Sequence, residues 1–197
     1  LLGSVALGVL FSTLLAVACI NFKADQTIVG TALNMLGLAA ATVIVKAINI
    51  AENPDNVSAT VQYIAQKKSF LVNIGGFEFN WMMLVALVIL IAAYIVLYKT
   101  KFGLRLMACG EHPQAADSVG INVYKMRYAG TTISGALAGM GGFVYALTTA
   151  NCTANGDVAG FGFLALAVMI FGNWKPLNIA GASLLFGLFK CVAASYS

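Results

Sequence analysis

Of the 197 residues, 60% are hydrophobic types and only 9% are charged, eleven Lys or Arg against seven Asp or Glu. A soluble domain carries about 25% charge, and a chain of this length cannot hide so much apolar surface from water. With a mean hydropathy of +0.89, a soluble enzyme, a disordered region and a disulfide scaffold are excluded. The net charge of +4 is no nucleic-acid footprint, because the cations flank apolar runs and form no basic face. Cys19, Cys109, Cys152 and Cys191 lie far apart with no C-x-x-C spacing, and there is one histidine, so no metal or redox centre is expected. The chain starts inside an apolar run without Met and ends after another, which suggests a piece cut from a longer protein at both ends.

A helical span needs about 20 apolar residues. In chain order the candidates are Leu1–Ile20, Thr27–Val45, Trp81–Tyr98, Tyr128–Thr149, the short Phe161–Phe171 and Asn178–Ala194. The expectation is an all-α, polytopic transmembrane helix bundle of about six spans, forming a single domain over residues 1–197. Phe161–Phe171 would rise only about 16 Å, so it is either a half-span or extends into its flanks.

Orientation follows from the loop cations. Placing the 99–127 loop inside, with Lys99, Lys101, Arg105, Lys125 and Arg127, also puts Lys23 and Lys175 inside by alternation. Lys46, Lys67, Lys68 and Lys190 then fall outside or near an interface, where Lys46 and Lys190 can snorkel. The external segment would be 49–80. It opens on the turn cluster 52–56, and Val57, Val61, Ile64 and Ala65 follow at the spacing of a short amphipathic helix. Asn56-Val57-Ser58 and Asn151-Cys152-Thr153 fit the N-glycosylation pattern, which matters only in a secretory-pathway host.

The span interiors lack the ionisable residues of ion-coupled carriers, and no nucleophile–base pair is visible, so no catalytic residue is assigned. The membrane part reads as a pathway or a scaffold. On the second span Thr27, Gly30, Thr31, Asn34, Gly37 and Ala41 share one helical face. Thr27, Thr31 and Asn34 can line a substrate pathway. Alternatively the face packs, with Asn34 bonding a neighbouring backbone. On the fourth span Gly135 and Gly139 form a G-x-x-x-G, and Ala138 pairs with Gly142. Such spacing lets helices approach closely, and the same glycines can serve as a hinge.

In the 99–127 loop, Pro113 suits a first helical position and Gly120 a helix end. Between them lies a helix of about two turns, with Ala115, Ala116 and Val119 on one face. It is too short to fold alone but suits a partner's groove. An ordinary amphipathic surface turn is the other reading of the same pattern.

This loop resembles the cytoplasmic coupling loop of ABC importer permeases of the branched-chain amino acid, monosaccharide and nucleoside superfamily. The residues that carry the resemblance are Gly103 and Arg105, then Gly110, Glu111, Pro113, Ala115, Ala116, Gly120, Ile121 and Asn122. The segment from Asp25 to Asn34 and the segment from Gly160 to Pro176 are similar to two further family motifs, in the family's order. His112 stands where the family often has Asn. The combination is most like the nucleoside or simple-sugar branch.

The resemblance implies a permease subunit of a bacterial cell (inner) membrane importer that moves a polar solute inward. Its expected partners are cytosolic ABC ATPase subunits, a second permease subunit, an external solute-binding lipoprotein and membrane lipid, with no nucleic acid and no cofactor. Glu111, Pro113, Ala115, Ala116, Gly120, Ile121 and Asn122 would couple the permease to the ATPase. The sequence has no P-loop, so it is not itself expected to be the enzyme. A branched-chain amino acid permease, an ATP-independent channel or carrier, and a structural membrane subunit remain open alternatives.

Overall fold

The computed structural model describes residues 1–52, 54–55, 58, 60–61, 71–74, 77–148, 152–153 and 160–195. Among the described residues eight α-helices dominate: α1 (Leu2–Ala16), α2 (Gln26–Glu52), α3 (Trp81–Lys99), α4 (Lys101–Glu111), α5 (Pro113–Ser118), α6 (Val123–Thr148), α7 (Phe161–Phe171) and α8 (Pro176–Ser195). A π-helical turn, Val17–Asn21, continues α1. Among the described residues, four helical stretches are long and apolar enough to cross a membrane: Leu2–Asn21, Gln26–Glu52, Trp81–Lys99 and Pro176–Ala193. The all-α bundle therefore stands, with a looser span count than six. Helix α6 is long enough at 26 residues, but its glycines and threonines dilute its apolar character. Helix α7 remains a short apolar helix of 11 residues.

Several boundaries differ from those the sequence suggests. Lys46 does not end the second span, because α2 runs on to Glu52. The 99–127 segment is α4, α5 and the first turn of α6, with little loop. Thr60–Val61 is a two-residue strand, β1, so no helix passes through Val61. It pairs antiparallel with β4 (Cys152–Thr153), Thr60 opposite Thr153 and Val61 opposite Cys152. Backbone pairing across a distant segment outweighs the local helical spacing there. The rest of that expected helix, Val57 and 62–70, lies outside the described residues, as do Asn56 and Asn151 of the glycosylation patterns. Strands β2 (Leu71–Ile74) and β3 (Phe77–Asn80) form a second pair. The Asn49 amide donates to the Ser58 carbonyl at 2.8 Å, tying the end of α2 to the segment that follows.

The chain divides into two compact units, residues 1–79 with 105–157, and residues 80–104 with 158–197. In the first, α1 and α6 pack antiparallel at very short range. A side chain on Gly8 would run into the Gly135 carbonyl and stand 3.0 Å from the Gly139 Cα; one on Gly135 would meet Ser12, and one on Gly139 the Ser4 carbonyl. Ser4, Gly8 and Ser12 thus form a small-residue stripe that faces Gly135 and Gly139. In the second unit α8 packs on α3 and folds back against α7. The α7–α8 turn carries Asn173 and Trp174 at positive φ (50° and 60°), and the Phe171 and Phe186 rings meet edge to face at 6.0 Å beside it.

Candidate coupling site and membrane pathway

Each element of the Gly103–Asn122 motif has a local physical task. At the α3–α4 corner the Thr100 hydroxyl donates to the Val96 carbonyl at 2.5 Å and accepts from the Gly103 N–H at 3.2 Å. A side chain on Gly103 would collide with the backbone of Val96 and Leu97, so only glycine fits in the turn that follows Lys99. Helix α4 closes at Glu111. His112 is extended, with φ −137° and ψ 84°, as the residue before a proline must be. Pro113 opens α5, where its missing N–H costs nothing.

The end of α5 is a Schellman motif. Gly120 sits at φ 82°; its N–H donates to the Asp117 carbonyl at 2.9 Å, and the Ile121 N–H donates to the Ala116 carbonyl at 3.1 Å. The left-handed residue and the paired bonds satisfy carbonyls that would otherwise be orphaned. Asn122 then caps α6: its side-chain oxygen accepts from the Lys125 N–H at 3.0 Å, satisfying a donor of the first turn. Gly120, Ile121 and Asn122 therefore stop one helix and start the next with no slack between them.

The residues of α5 are not equivalent. Ala116 is 4% exposed and packed inside the unit, whereas Ala115 is exposed and Val119 is 78% exposed. The face available to a partner is Ala115 with Val119, and Ala116 seats the helix from beneath. Glu111 is exposed. Ile121 is half-buried, and Asn122 is exposed but occupied by its cap. Below α5 a cavity of about 430 Å³ is lined by Pro113, Gln114 and Asp117 on one side and by Cys19, Ile20 and Lys23 on the other. Thus α5 rests over the π-helical end of α1. Tyr128 joins α1 to α6 at that end, its hydroxyl donating to Asn21 Oδ1 at 3.0 Å.

At the start of the second span, Asp25 caps α2 by accepting from the Thr27 and Ile28 N–H groups at 2.8 and 3.3 Å. Those bonds hold its carboxyl below the ordinary value of 3.8, because they favour the charged form. The expected polar face of α2 divides in two. Gly37 approaches Phe11 of α1, at a distance a side chain would reach as ordinary contact, and Ala41 is half-buried. Thr27, Thr31 and Asn34 are exposed along the adjoining edge. The Thr31 hydroxyl donates to the Ile28 carbonyl at 2.9 Å, while the Asn34 side chain makes no hydrogen bond among the described residues.

The glycines of α6 likewise separate. Gly135 and Gly139 meet α1, whereas a side chain on Gly142 would meet nothing within 4 Å. Ser4, Gly8 and Ser12, the other half of this contact, escape a search confined to glycine pairs. The signal was present as small residues every fourth position, and Ala16, 2% exposed, continues it. Lys190 is also better placed by the structure than by sequence. It lies within the apolar stretch Pro176–Ala193, and its ammonium sits 3.2 Å from the centroid of the Phe161 ring.

Apolar helices of crossing length, joined by tightly capped amphipathic turns, define a multi-pass integral membrane protein. Residues 1–197 match the family described as branched-chain amino acid transport system / permease component, and the chain belongs to that family. It is 43% identical to the guanosine ABC transporter permease protein NupQ of Bacillus subtilis, over 98% of this chain and 62% of that protein. It is 41% identical to the nucleoside ABC transporter permease protein NupC of Lactococcus lactis, over 95% of this chain and 60% of that one. A putative glucose ABC transporter permease of Haloferax volcanii, TsgC13, is 29% identical over 95% of this chain and 58% of its own length. The chain thus spans about three-fifths of the curated relatives it matches. No solved structure matches it.

Proposed function

We propose that this chain forms the membrane-spanning part of an ABC importer permease subunit that moves a nucleoside inward, with a simple sugar as the alternative polar solute. ATP is hydrolysed by separate cytosolic ATPase subunits. A second permease subunit and an external solute-binding lipoprotein complete the assembly. The observation that carries the reading is the geometry of α5, a six-residue helix clamped to α6 by Gly120, Ile121 and Asn122, with Ala115 and Val119 left open. A helix so held transmits a push into α6 instead of absorbing it. In this reading residues 99–127 face the cytoplasm and residues 49–80 the outside. The Thr27–Thr31–Asn34 edge of α2 lines the pathway, because an exposed amide within a membrane span needs water, solute or a partner. The nucleoside branch is supported by the permeases NupQ and NupC.

A second reading, a branched-chain amino acid permease, is favoured by a stretch of 58 residues 48% identical to a probable branched-chain amino acid transport permease, LivH, of Methanocaldococcus jannaschii, which covers 29% of this chain. The deciding experiment reconstitutes the full-length permease with its ATPase and binding protein in vesicles. ATP-dependent accumulation of guanosine or uridine, and none of leucine, is expected. Accumulation of leucine instead would move the chain to the second reading, and uptake without ATP would remove it from this class of importer.

A further inference from the structure

We propose that the cleft between α7 and α8 is a purine-nucleoside site, in which phenylalanine rings stack the base and Lys190 donates to its O6 and N7 edge. This inference rests on the nucleoside reading above and names the part of the solute that is recognised. The cleft has a volume of about 570 Å³, and its walls include Phe161, Phe163, Phe186, Phe189 and Lys190. Pockets for small organic ligands span roughly 300–1,000 Å³ and combine apolar or aromatic walls with a few fixed polar groups.

Depth is the first reason to assign a ligand here. The α7–α8 turn carries Trp174 and Lys175 side by side, and Trp174 is exposed, which is how a chain marks a membrane interface. From that turn α7 rises 11 residues, or about 16 Å, and ends at Phe161. On α8, Lys190 stands about 21 Å beyond Pro176 by the same rise per residue. Its ammonium lies over Phe161, back toward the middle of a hydrocarbon core about 30 Å thick. A snorkelling lysine would instead extend toward the near end of α8. A cation held at that depth is costly, and in membrane proteins such residues face cavities and mark solute pathways.

Chemistry is the second reason. The Phe161 face attracts the ammonium through its ring quadrupole, and at 3.2 Å from the centroid one N–H is aimed at the ring. The other two donors meet no acceptor among the described residues and can serve a solute. Guanine and hypoxanthine present two adjacent acceptors, O6 and N7, whereas adenine sets an N6 donor beside N7. Uracil, with an N3–H donor between its two carbonyls, lacks such a pair. Every base offers a face for stacking, so the phenylalanines hold the ring and Lys190 chooses the edge.

The test uses the reconstituted full-length importer with its ATPase and binding protein. Photoactivated 8-azidoguanosine is expected to label a peptide within residues 160–190 of the wild type. Labelling and guanosine uptake should each fall about tenfold in Lys190→Met, which leaves the stem but removes the donors, while uridine uptake changes less than about threefold. Lys190→Arg should keep at least about a third of the guanosine uptake. Phe163→Ala, at a side chain 81% exposed whose loss cannot empty a core, should also weaken labelling. Unchanged labelling in Lys190→Met, label placed outside the cleft, or equal loss of guanosine and uridine uptake would overturn the site while leaving the nucleoside reading intact. A wild-type importer that accumulates a sugar or leucine and no nucleoside would overturn both.

Discussion

The Ile121 N–H reaches back to the Ala116 carbonyl at 3.1 Å. That bond, with the Gly120 pairing beside it, closes the end of α5 immediately before α6 begins. It also separates two alanines that look equivalent in sequence, since Ala116 is packed beneath the helix and Ala115 stands on its open face.

Glutamate at the two positions should therefore act differently. Ala116→Glu forces a larger, charged side chain into a filled seat, where overpacking alone costs about 1–3 kcal/mol, so membrane abundance should drop. Ala115→Glu should leave abundance within about 20% of wild type, as exposed substitutions usually do, yet lower uptake and transport-stimulated ATP hydrolysis together. Quantitative immunoblots and vesicle assays read both. Normal uptake in Ala115→Glu would show that α5 is an ordinary surface turn.

Gly120 holds a backbone conformation, φ 82°, that β-branched residues strongly resist. Gly120→Val should loosen the α5–α6 junction at a cost of about 1–2 kcal/mol and reduce coupling efficiency, measured as solute moved per ATP hydrolysed. Gly120→Asn should retain most of it, because asparagine tolerates the left-handed region. Equal behaviour of the two variants would discard the junction as the reason for this glycine.

The α1–α6 contact predicts a graded glycine series. Gly135→Leu and Gly139→Leu must push against the Ser12 side chain and the Ser4 carbonyl and should sharply lower the thermal stability of the detergent-solubilised protein. Gly142→Leu meets open space within this chain and should shift the melting temperature little. Loss of stability only at Gly142 would contradict the packing.

The Asn34 side chain is exposed and forms no hydrogen bond among the described residues, so Asn34→Leu removes no internal partner. Abundance should stay near wild type while the KM for uptake rises several-fold, the loss of one polar contact being about 0.5–1.5 kcal/mol. A collapse of abundance would place Asn34 in packing.

Topology is best read at exposed positions. Native Cys109 is only 3% exposed and would report burial instead of sidedness. In a chain with Cys152 and Cys191 changed to serine, Asp55→Cys should react with an impermeant maleimide in intact cells, and Ser118→Cys only after permeabilisation. The reverse pattern would invert the orientation and remove α5 from the cytoplasm.

Asp25 shows what a local motif can settle unaided. A carboxylate one residue before an apolar run reads as a helix start, and it caps α2 as such. The apolar runs, the proline that opens α5 and the glycine that ends it were legible for the same reason: they are decided by neighbours within a turn, through hydrophobic length, fixed φ or freedom at positive φ. The family motifs were legible too, because their residues lie close together in the chain. What the local pattern could not determine are relationships across the chain. It could not show that Ser4, Gly8 and Ser12 answer Gly135 and Gly139, that Thr60–Val61 would pair with Cys152–Thr153, or that Ala116 turns inward while Ala115 does not. Nor could it show that the Lys190 ammonium would lie over the Phe161 ring. Each of these depends on which helix or strand arrives at the other side of a side chain, and close packing between distant segments overrides propensity and periodicity wherever they meet.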